Sequence, residues 1–205
     1  MEKMEVLRQY FGFSSFREGQ QTLIDAVLAG RDVLGVMPTG GGKSLCYELP
    51  ALLLPGLTLV ISPLISLMKD QVMALQNAGI HAGCIHSAMS VEELREAYRD
   101  TRFGAYKILY IAPERLLTDG FCALAQELEI SLLAVDEAHC ISQWGQDFRP
   151  SYLKILDFLQ KLPRRPALAA FTATATAQVR SDIVRILQLQ DPVTVVTGFD
   201  RPNLR

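Results

Sequence analysis

A glycine-rich segment carrying one lysine and one serine offers the chemistry of a phosphate site. Residues 38–44 follow a short apolar run and precede the helix-compatible stretch 45–54. Glycines let backbone N–H groups turn toward one point, and a helix N-terminus adds more donors, so such a loop binds phosphate. We expect Lys43 to reach the β- and γ-phosphates of a nucleotide and Ser44 to coordinate Mg²⁺. The residues predicted to hold the nucleotide phosphates are Thr39, Gly40, Gly41, Gly42, Lys43 and Ser44.

The strict phosphate-loop pattern would place glycine where Met37 stands, so the match is to a looser form of the motif. The alternative is a glycine turn with a solvated lysine. The apolar run before the loop and the helical pattern after it favour the phosphate site, because that site requires a strand and then a helix.

Two acidic residues and a histidine follow another apolar run. Asp136 comes at the expected carboxyl end of a strand, where a carboxylate facing a phosphate loop can hold Mg²⁺ through water. Glu137 is placed to orient or deprotonate the water that attacks the γ-phosphate, and His139 to link the phosphate site to a neighbouring segment. Alone, these residues could be acids at a helix N-terminus. With the phosphate loop, they predict a catalytic set of Lys43, Asp136, Glu137 and His139.

The segment 139–152 contains the only tryptophan of the chain and has little periodicity. Trp144 and Phe148 could stack on unpaired bases, an interaction that tolerates any sequence. Arg149 could bind phosphate or stack as a planar cation. The alternative is that both aromatic side chains are buried beneath a helix that begins near Tyr152. The position of the segment, directly after the acidic residues, makes it a candidate loop for transmitting nucleic-acid binding to nucleotide hydrolysis, although the residue types alone favour burial.

These segments need a scaffold, and the chain alternates short apolar runs with helical patterns. The apolar runs are 33–37, 58–61, 82–85, 108–111, 132–135, 168–171 and 193–196. Most are continuous, as in parallel strands covered on both faces. The alternation predicts an α/β fold, a doubly wound parallel sheet with helices on both faces. Ligands of such sheets bind beyond the carboxyl ends of the strands. We expect one domain over residues 1–198 and a tail at 199–205.

Composition narrows the class of protein. A chain of 205 residues with 49% hydrophobic content suits one α/β domain. No apolar run approaches the ~20 residues of a membrane span and no signal peptide is evident, so we expect a cytoplasmic protein without a membrane partner, nucleoid-associated if bacterial. The four cysteines lie far apart and the three histidines lack ligand spacing, which predicts free thiols and no metal held by side chains alone.

Further segments resemble motifs of superfamily 2 helicases. Residues 13–20 are similar to the adenine-reading Q motif, and residues 62–71 are similar to motif Ia. Residues 110–116 are similar to the conserved block that follows motif Ia, and residues 171–176 are similar to motif III. The run 139–150 is similar to the aromatic-rich loop of the RecQ family. The resemblance covers almost the whole chain in the usual order. The chain is therefore identified as a member of the RecQ family, in the first RecA-like lobe, a P-loop NTPase domain.

The resemblance implies further site residues. In that family the Q-motif glutamine contacts adenine, here Gln20 with Arg17 nearby, and an aromatic side chain stacks on the base, here Phe13. Motif Ia implies that Ser62 contacts the DNA backbone, with a simple helix cap as the alternative. Motif III implies coupling of the ATP state to lobe movement through Thr172 and Thr174, and both hydroxyls could instead, or also, cap the next helix. The aromatic-rich loop adds Gln143, Trp144, Phe148 and Arg149 as DNA-binding or coupling residues. For Arg115, DNA contact and an ion pair both stay open.

The implied function is that of an ATP-dependent DNA helicase moving 3′→5′ on single-stranded DNA, with roles in repair and recombination. The implied cofactors are ATP and Mg²⁺. The implied partners are single-stranded DNA, duplex–single-strand junctions and a second RecA-like lobe, without which this chain should hydrolyse little ATP. The alternatives are an ATPase of the same superfamily acting on RNA or chromatin, a non-catalytic nucleotide-binding module and a small-molecule kinase. The aromatic-rich loop separates the first from the DNA helicase, since RNA members do not usually carry it.

Overall fold

A computed structural model describes residues 2–198 of the chain, and the predicted tail at 199–205 lies outside the described residues. Seven strands form one sheet in the order β3-β4-β2-β5-β6-β1-β7, and every neighbouring pair is parallel. The strands are β1 (Val33–Val36), β2 (Leu57–Ile61), β3 (Ala82–Ile85), β4 (Ile108–Ile111), β5 (Ile130–Val135), β6 (Ala167–Thr172) and β7 (Val193–Val196). All seven predicted strands are confirmed, with ends that shift by at most two residues.

Eight α-helices connect and cover the strands in the described part of the chain. They are α1 (Lys3–Phe11), α2 (Gln20–Leu28), α3 (Leu45–Leu53), α4 (Ile65–Asn77), α5 (Val91–Arg102), α6 (Asp119–Glu127), α7 (Lys154–Lys161) and α8 (Ala177–Ile186). Short 3₁₀ turns are formed by Pro113–Arg115, Ala138–Ile141 and Pro150–Leu153. A capping box starts α5, where Ser90 and Glu93 exchange side-chain to backbone hydrogen bonds of 2.7 and 3.2 Å.

The helices divide between the two faces of the sheet. Helices α2, α3 and α4 pack on one face, and α5, α6, α7 and α8 pack on the other, each through apolar side chains in a continuous core. Helix α1 lies outside α2 and α3 and buries Val6 and Leu7 against them. The predicted doubly wound sheet is therefore confirmed. Because all strands run in one direction, the loops after β1, β2, β5 and β6 leave from the same edge.

A buried acid lies beneath this edge. Glu48 of α3 is 6% exposed, and its carboxyl group accepts a 2.9 Å hydrogen bond from the Tyr110 hydroxyl on β4. Burial raises the pKa of Glu48 to about 7, while the hydrogen bond from Tyr110 acts in the opposite direction. The protein therefore keeps a proton on Glu48 at pH values where the unfolded chain has released it.

This buried acid predicts a stability that depends on pH. As the pH rises from about 4.5 to about 7, the unfolded state loses the proton first, so the free energy of unfolding falls. Glu48→Gln keeps an acceptor for Tyr110 but does not titrate. We expect it to raise the free energy of unfolding at about pH 8, by on the order of 3 kcal/mol at most, with the gain vanishing toward about pH 5.

Urea unfolding at several pH values measures this difference. Glu96→Gln, which removes an exposed carboxylate on α5, is the matched control and should leave the pH profile unchanged. A Glu48→Gln protein with the same pH profile as the wild type would contradict the prediction.

Candidate functional site

A cleft of about 420 Å³ opens at the carboxyl edge of the sheet. Of the residues predicted to bind nucleotide or to act in catalysis, those lining it are Phe13, Arg17, Gln20, Thr39, Gly40, Gly42, Lys43, Ser44, Asp136 and Glu137. Leu67 and Gln71 of α4 form another part of the wall. Gly41 and His139 are not among the lining residues. The structure thus brings the segments after β1 and β5 together with the segment before α2, although they are far apart in the chain.

The phosphate loop owes its shape to its glycines. Gly40 and Gly42 both adopt φ +78°, a left-handed conformation that costs glycine little, and Gly41 donates a 2.8 Å hydrogen bond to the Pro38 carbonyl. The Lys43 ammonium group donates a 3.2 Å hydrogen bond to the carbonyl of Met37, the residue at the position where the strict pattern has glycine. Helix α3 begins directly after Ser44, so its free N–H groups lie beside the loop.

The segment before α2 is tied to this loop. Gln20 is 2% exposed; its side-chain oxygen accepts from the Arg17 N–H at 2.8 Å, and its amide nitrogen donates to the Gly42 carbonyl at 3.1 Å. The Arg17 guanidinium donates to the Gly40 carbonyl. Phe13 stands half exposed at the rim. The predicted base-contacting residues therefore border the cleft, and Gln20 also fixes the phosphate loop.

Two neighbouring carboxylates in the cleft have opposite electrostatic environments. Burial, and then the negative charge of Glu137, raise the pKa of Asp136 to about 6, although its oxygen accepts from the Glu137 N–H at 2.9 Å. A hydrogen bond from His139 is the main cause that lowers the pKa of Glu137. Glu137 also has φ +48°, a strained conformation for a residue with a side chain. The chain thus stabilises the charge of Glu137 and leaves that of Asp136 poorly compensated.

His139 connects this pair to the next strand. Its Nδ1 lies 3.3 Å from the Glu137 carboxylate and 2.8 Å from the Thr172 hydroxyl at the end of β6. The Cys140 sulfur, 3.8 Å from Nε2, and the Glu137 carboxylate raise the pKa of His139 to about 10, which favours the protonated imidazole. His139 therefore contacts both the acidic residues and the end of β6, and its role as a link between the phosphate site and a neighbouring segment stays a prediction.

The motif III threonines do not cap the following helix. The Thr172 hydroxyl donates to the Thr174 carbonyl at 3.1 Å, and Thr174 is exposed. The cap of α8 is Thr176, whose hydroxyl accepts from the Val179 N–H at 3.3 Å. The capping alternative for Thr172 and Thr174 is therefore wrong, and Thr172 is instead the partner of His139.

The aromatic-rich loop presents its tryptophan to solvent. Trp144 is 74% exposed, Gln143 is exposed and Phe148 is half-buried, so the burial alternative is wrong for Trp144. The buried aromatic residue is Tyr152, whose hydroxyl donates to the Asp136 carbonyl at 2.9 Å. Arg149 forms a 2.8 Å ion pair with Asp147 and a 3.4 Å hydrogen bond with a backbone carbonyl in the loop after β2.

Three buried polar atoms lack a hydrogen-bond partner among the described residues, and all lie after neighbouring strands. They belong to Ser62 after β2, His86 after β3 and Arg115 after β4. Leu64, not Ser62, is the cap residue of α4, so the helix-cap alternative for Ser62 is wrong. Burial, and then the charge of Lys69, lower the pKa of His86. His86 was not predicted as a site residue, although its place directly after an apolar run was a usable signal.

No group of three or more His, Cys, Asp and Glu side chains within residues 2–198 is arranged to hold a metal ion. A helix with the length and apolar character needed to cross a bilayer does not occur between these residues. All four cysteines are free thiols.

Comparison with known proteins identifies the family. Residues 17–183 match the family model described as DEAD/DEAH box helicase. The chain is 51% identical over 200 residues to the ATP-dependent DNA helicase RecQ of Bacillus subtilis, covering 97% of this chain and 34% of that protein. It is 48% identical to the RecQ of Pasteurella multocida, covering 98% of this chain and 32% of that protein. The chain thus spans about a third of the length of these relatives.

A solved structure extends the comparison to the fold. A hypothetical ATP-dependent RNA helicase from Sulfolobus tokodaii aligns with a TM-score of 0.71 and 22% identity, over 94% of this chain and 56% of that one. At this identity the likeness shows the fold alone, that of a RecA-like domain. The family model, which matches most of the chain, shows that the chain belongs to the DEAD/DEAH box helicase family, and the two relatives show that its sequence is similar to RecQ helicases.

Proposed function

We propose that this chain is the ATP-binding lobe of a DNA helicase that hydrolyses ATP to move 3′→5′ along single-stranded DNA and open duplexes, in DNA repair and recombination. The observation that carries the proposal is that Lys43, Ser44, Asp136 and Glu137 line one cleft. These residues supply the parts that phosphoryl-transfer sites use: a phosphate loop with its lysine, oxygen groups for a metal, and a carboxylate for the attacking water. The 51% identical relative is named as an ATP-dependent DNA helicase.

The binding of ATP follows from the loop geometry. The phosphate loop and the start of α3 line the cleft, so their backbone N–H groups that have no partner in the chain would bind the phosphates. Lys43 would exchange the Met37 carbonyl for a phosphate oxygen. At the rim, Phe13 would stack on adenine, and Gln20 would offer its amide to the adenine edge with Arg17 beside it. The existing bonds from Gln20 and Arg17 to the loop carbonyls would let base recognition act on the phosphate loop.

The residues around the cleft fit Mg²⁺ bound together with a nucleotide. The buried Asp136 carboxylate, with its raised pKa, lacks sufficient positive charge nearby, and hard oxygen donors such as this carboxylate and the Ser44 hydroxyl suit Mg²⁺. When bound, Mg²⁺ would neutralise developing charge on the phosphates. Glu137, kept ionised by His139, would orient or deprotonate the attacking water.

A nucleic-acid surface would lie along the same edge of the sheet. The unpartnered groups of Ser62, His86 and Arg115 follow three adjacent strands and would find partners in phosphate oxygens. The exposed Trp144 offers a face on which a base can stack, worth ~1–3 kcal/mol. Since Arg149 joins the aromatic-rich loop to the loop after β2, both parts would respond to one bound strand.

A second RecA-like lobe is the proposed partner. This chain spans about a third of the length of its curated relatives, and family motors close ATP between two lobes. The second lobe would supply an arginine to the γ-phosphate, and an arginine of this kind is worth about 10³–10⁵ in rate. The 205-residue chain alone is therefore proposed to bind nucleotide weakly and hydrolyse it slowly.

The choice of nucleic acid is tested by ATPase stimulation. We expect single-stranded DNA to stimulate hydrolysis by the full-length protein, and single-stranded RNA of the same sequence to do so far less. The 205-residue chain, assayed in parallel, should show little stimulation. Equal or stronger stimulation by RNA would favour an RNA-dependent ATPase of the same family and would overturn the DNA assignment.

A second prediction separates chemistry from nucleotide binding. Glu137→Gln keeps the shape of the side chain but removes the carboxylate that would act on water, so we expect kcat for ATP hydrolysis to fall about 10²–10⁴-fold. Nucleotide affinity, measured with a fluorescent ATP analogue, should stay near the wild-type value. Glu129→Gln, just before the amino end of β5, is the control and should change neither quantity. Retained hydrolysis in Glu137→Gln would contradict the assigned role.

A third prediction separates coupling from nucleotide binding. Trp144→Ala in the full-length protein should leave the KM for ATP near normal, because Trp144 lies outside the cleft lining, while DNA-stimulated hydrolysis falls. Phe103→Ala, which removes a ring that is 80% exposed near the opposite edge of the sheet, is the matched control. An equal loss of nucleotide binding and stimulation in Trp144→Ala would indicate a structural role instead.

A further inference from the structure

A buried carboxylate on α8 holds the aromatic-rich loop. Asp182 is 5% exposed, and it accepts a 2.7 Å hydrogen bond from the hydroxyl of Ser142, which is fully buried. Asp182 also accepts from Arg185 at 2.9 Å and from Gln178 at 3.5 Å. A buried carboxylate destabilises the fold unless hydrogen-bond partners compensate for its lost hydration. Among the three partners of Asp182, Ser142 is the one that is itself buried.

Ser142 passes this restraint to the tryptophan. The same hydroxyl that donates to Asp182 accepts the Trp144 N–H at 3.1 Å. The Ser142 carbonyl accepts the Gly145 N–H at 3.0 Å, and a Cβ at Gly145 would overlap the His139 carbonyl. The turn that carries Trp144 is therefore tight, and its orientation depends on the position of one serine hydroxyl.

The turn that carries Trp144 is connected to the Glu137 carboxylate through strand β6 and helix α8. On one side of Ser142, His139 joins the Thr172 hydroxyl at the end of β6 and the Glu137 carboxylate. On the other side, Ser142 joins Asp182 of α8, the helix that follows β6. The segment from His139 to Ser142 is thus fixed at both ends to β6 and α8, so that these elements and the loop would move together.

We propose that Asp182 is a positioning residue for coupling: by holding Ser142, it fixes the orientation of Trp144, so that binding of a DNA strand to this loop alters the site of ATP hydrolysis. The proposal rests on the proposed function. Asp182 lies outside the lining of the nucleotide cleft, so it acts through Ser142 and His139 rather than on ATP. A cavity of about 320 Å³ between Trp144 and α8 leaves the indole room to move once this bond is lost.

Asp182→Asn and Ser142→Ala test the link from its two ends. A hydrogen bond to a charged group is stronger than one to a neutral group, so the amide of Asp182→Asn holds the serine less firmly. In the full-length protein, we expect each variant to lower the kcat of DNA-stimulated ATP hydrolysis about tenfold and to leave the KM for ATP near normal. The double variant should fall no further than either single variant, because both remove one link.

Fluorescence of Trp144, the only tryptophan of the 205-residue chain, is the second readout. In both variants its time-resolved anisotropy should decay faster than in the wild type, without nucleotide or DNA. Asp157→Asn, an exposed carboxylate on α7, is the matched control and should change neither readout. Urea unfolding of each variant shows whether the fold is retained.

Three results would overturn the inference. One is a folded Asp182→Asn protein with wild-type anisotropy and wild-type DNA stimulation. Another is equal loss of nucleotide binding and DNA stimulation in Ser142→Ala. The third is a full effect from Arg185→Gln, which would assign the role to the exposed ion pair rather than to Ser142. Because the anisotropy needs no DNA, it tests the link to Trp144 even where the wild type shows no DNA stimulation, a result that would contradict the proposed function itself.

Discussion

Parallel pairing of the strands is the constraint on which the site depends. Each parallel neighbour must be reached through a crossover, so every strand leaves the sheet at the same edge. The register pairs Ile61 with Val135 and Val135 with Ala170, which places the residues after β2 and β5 at one level. Asp136 confirms this level, since its N–H donates to the Ile61 carbonyl at 2.9 Å. The phosphate loop, the acidic residues and the aromatic-rich loop therefore lie at the same edge of the sheet, although no sequence pattern relates these distant segments to one another.

The sequence predicted the elements that are buried along their whole length and missed the helices that bury only a few residues. Strands β1, β2 and β4 are buried at every position, so they appear as continuous apolar runs. Helix α1 buries only Val6 and Leu7, and α6 buries three residues and contains Gly120, so neither has a clear helical period. Both helices are held by tertiary packing rather than by their own propensity, which is why their sequences alone did not predict them.

The same distinction separates the site residues that were predicted from those that were missed. The phosphate loop and the acidic residues are continuous segments whose chemistry is visible in their order. Tyr152 was noticed only as the start of a helix, because its bond to the Asp136 carbonyl depends on how the loop folds back. Asp182 is 40 residues from its partner Ser142, and it resembles an ordinary polar residue of an amphipathic helix. The hydrogen bond between Ser142 and Asp182 depends on how α8 packs, and a local sequence pattern cannot predict that packing.

The two carboxylates after β5 show how the fold gives similar groups different properties. Asp136 is buried beside a second negative charge, so its pKa is raised, whereas Glu137 accepts a hydrogen bond from His139 and its pKa is lowered. Environments that push two acids apart in pKa usually indicate two roles. Asp136 is the group that gains most from a cation brought by a ligand, while Glu137 is already ionised and oriented by His139. Because His139 also contacts Thr172, the charge environment of Glu137 is tied to the position of the end of β6 as well as to its own loop.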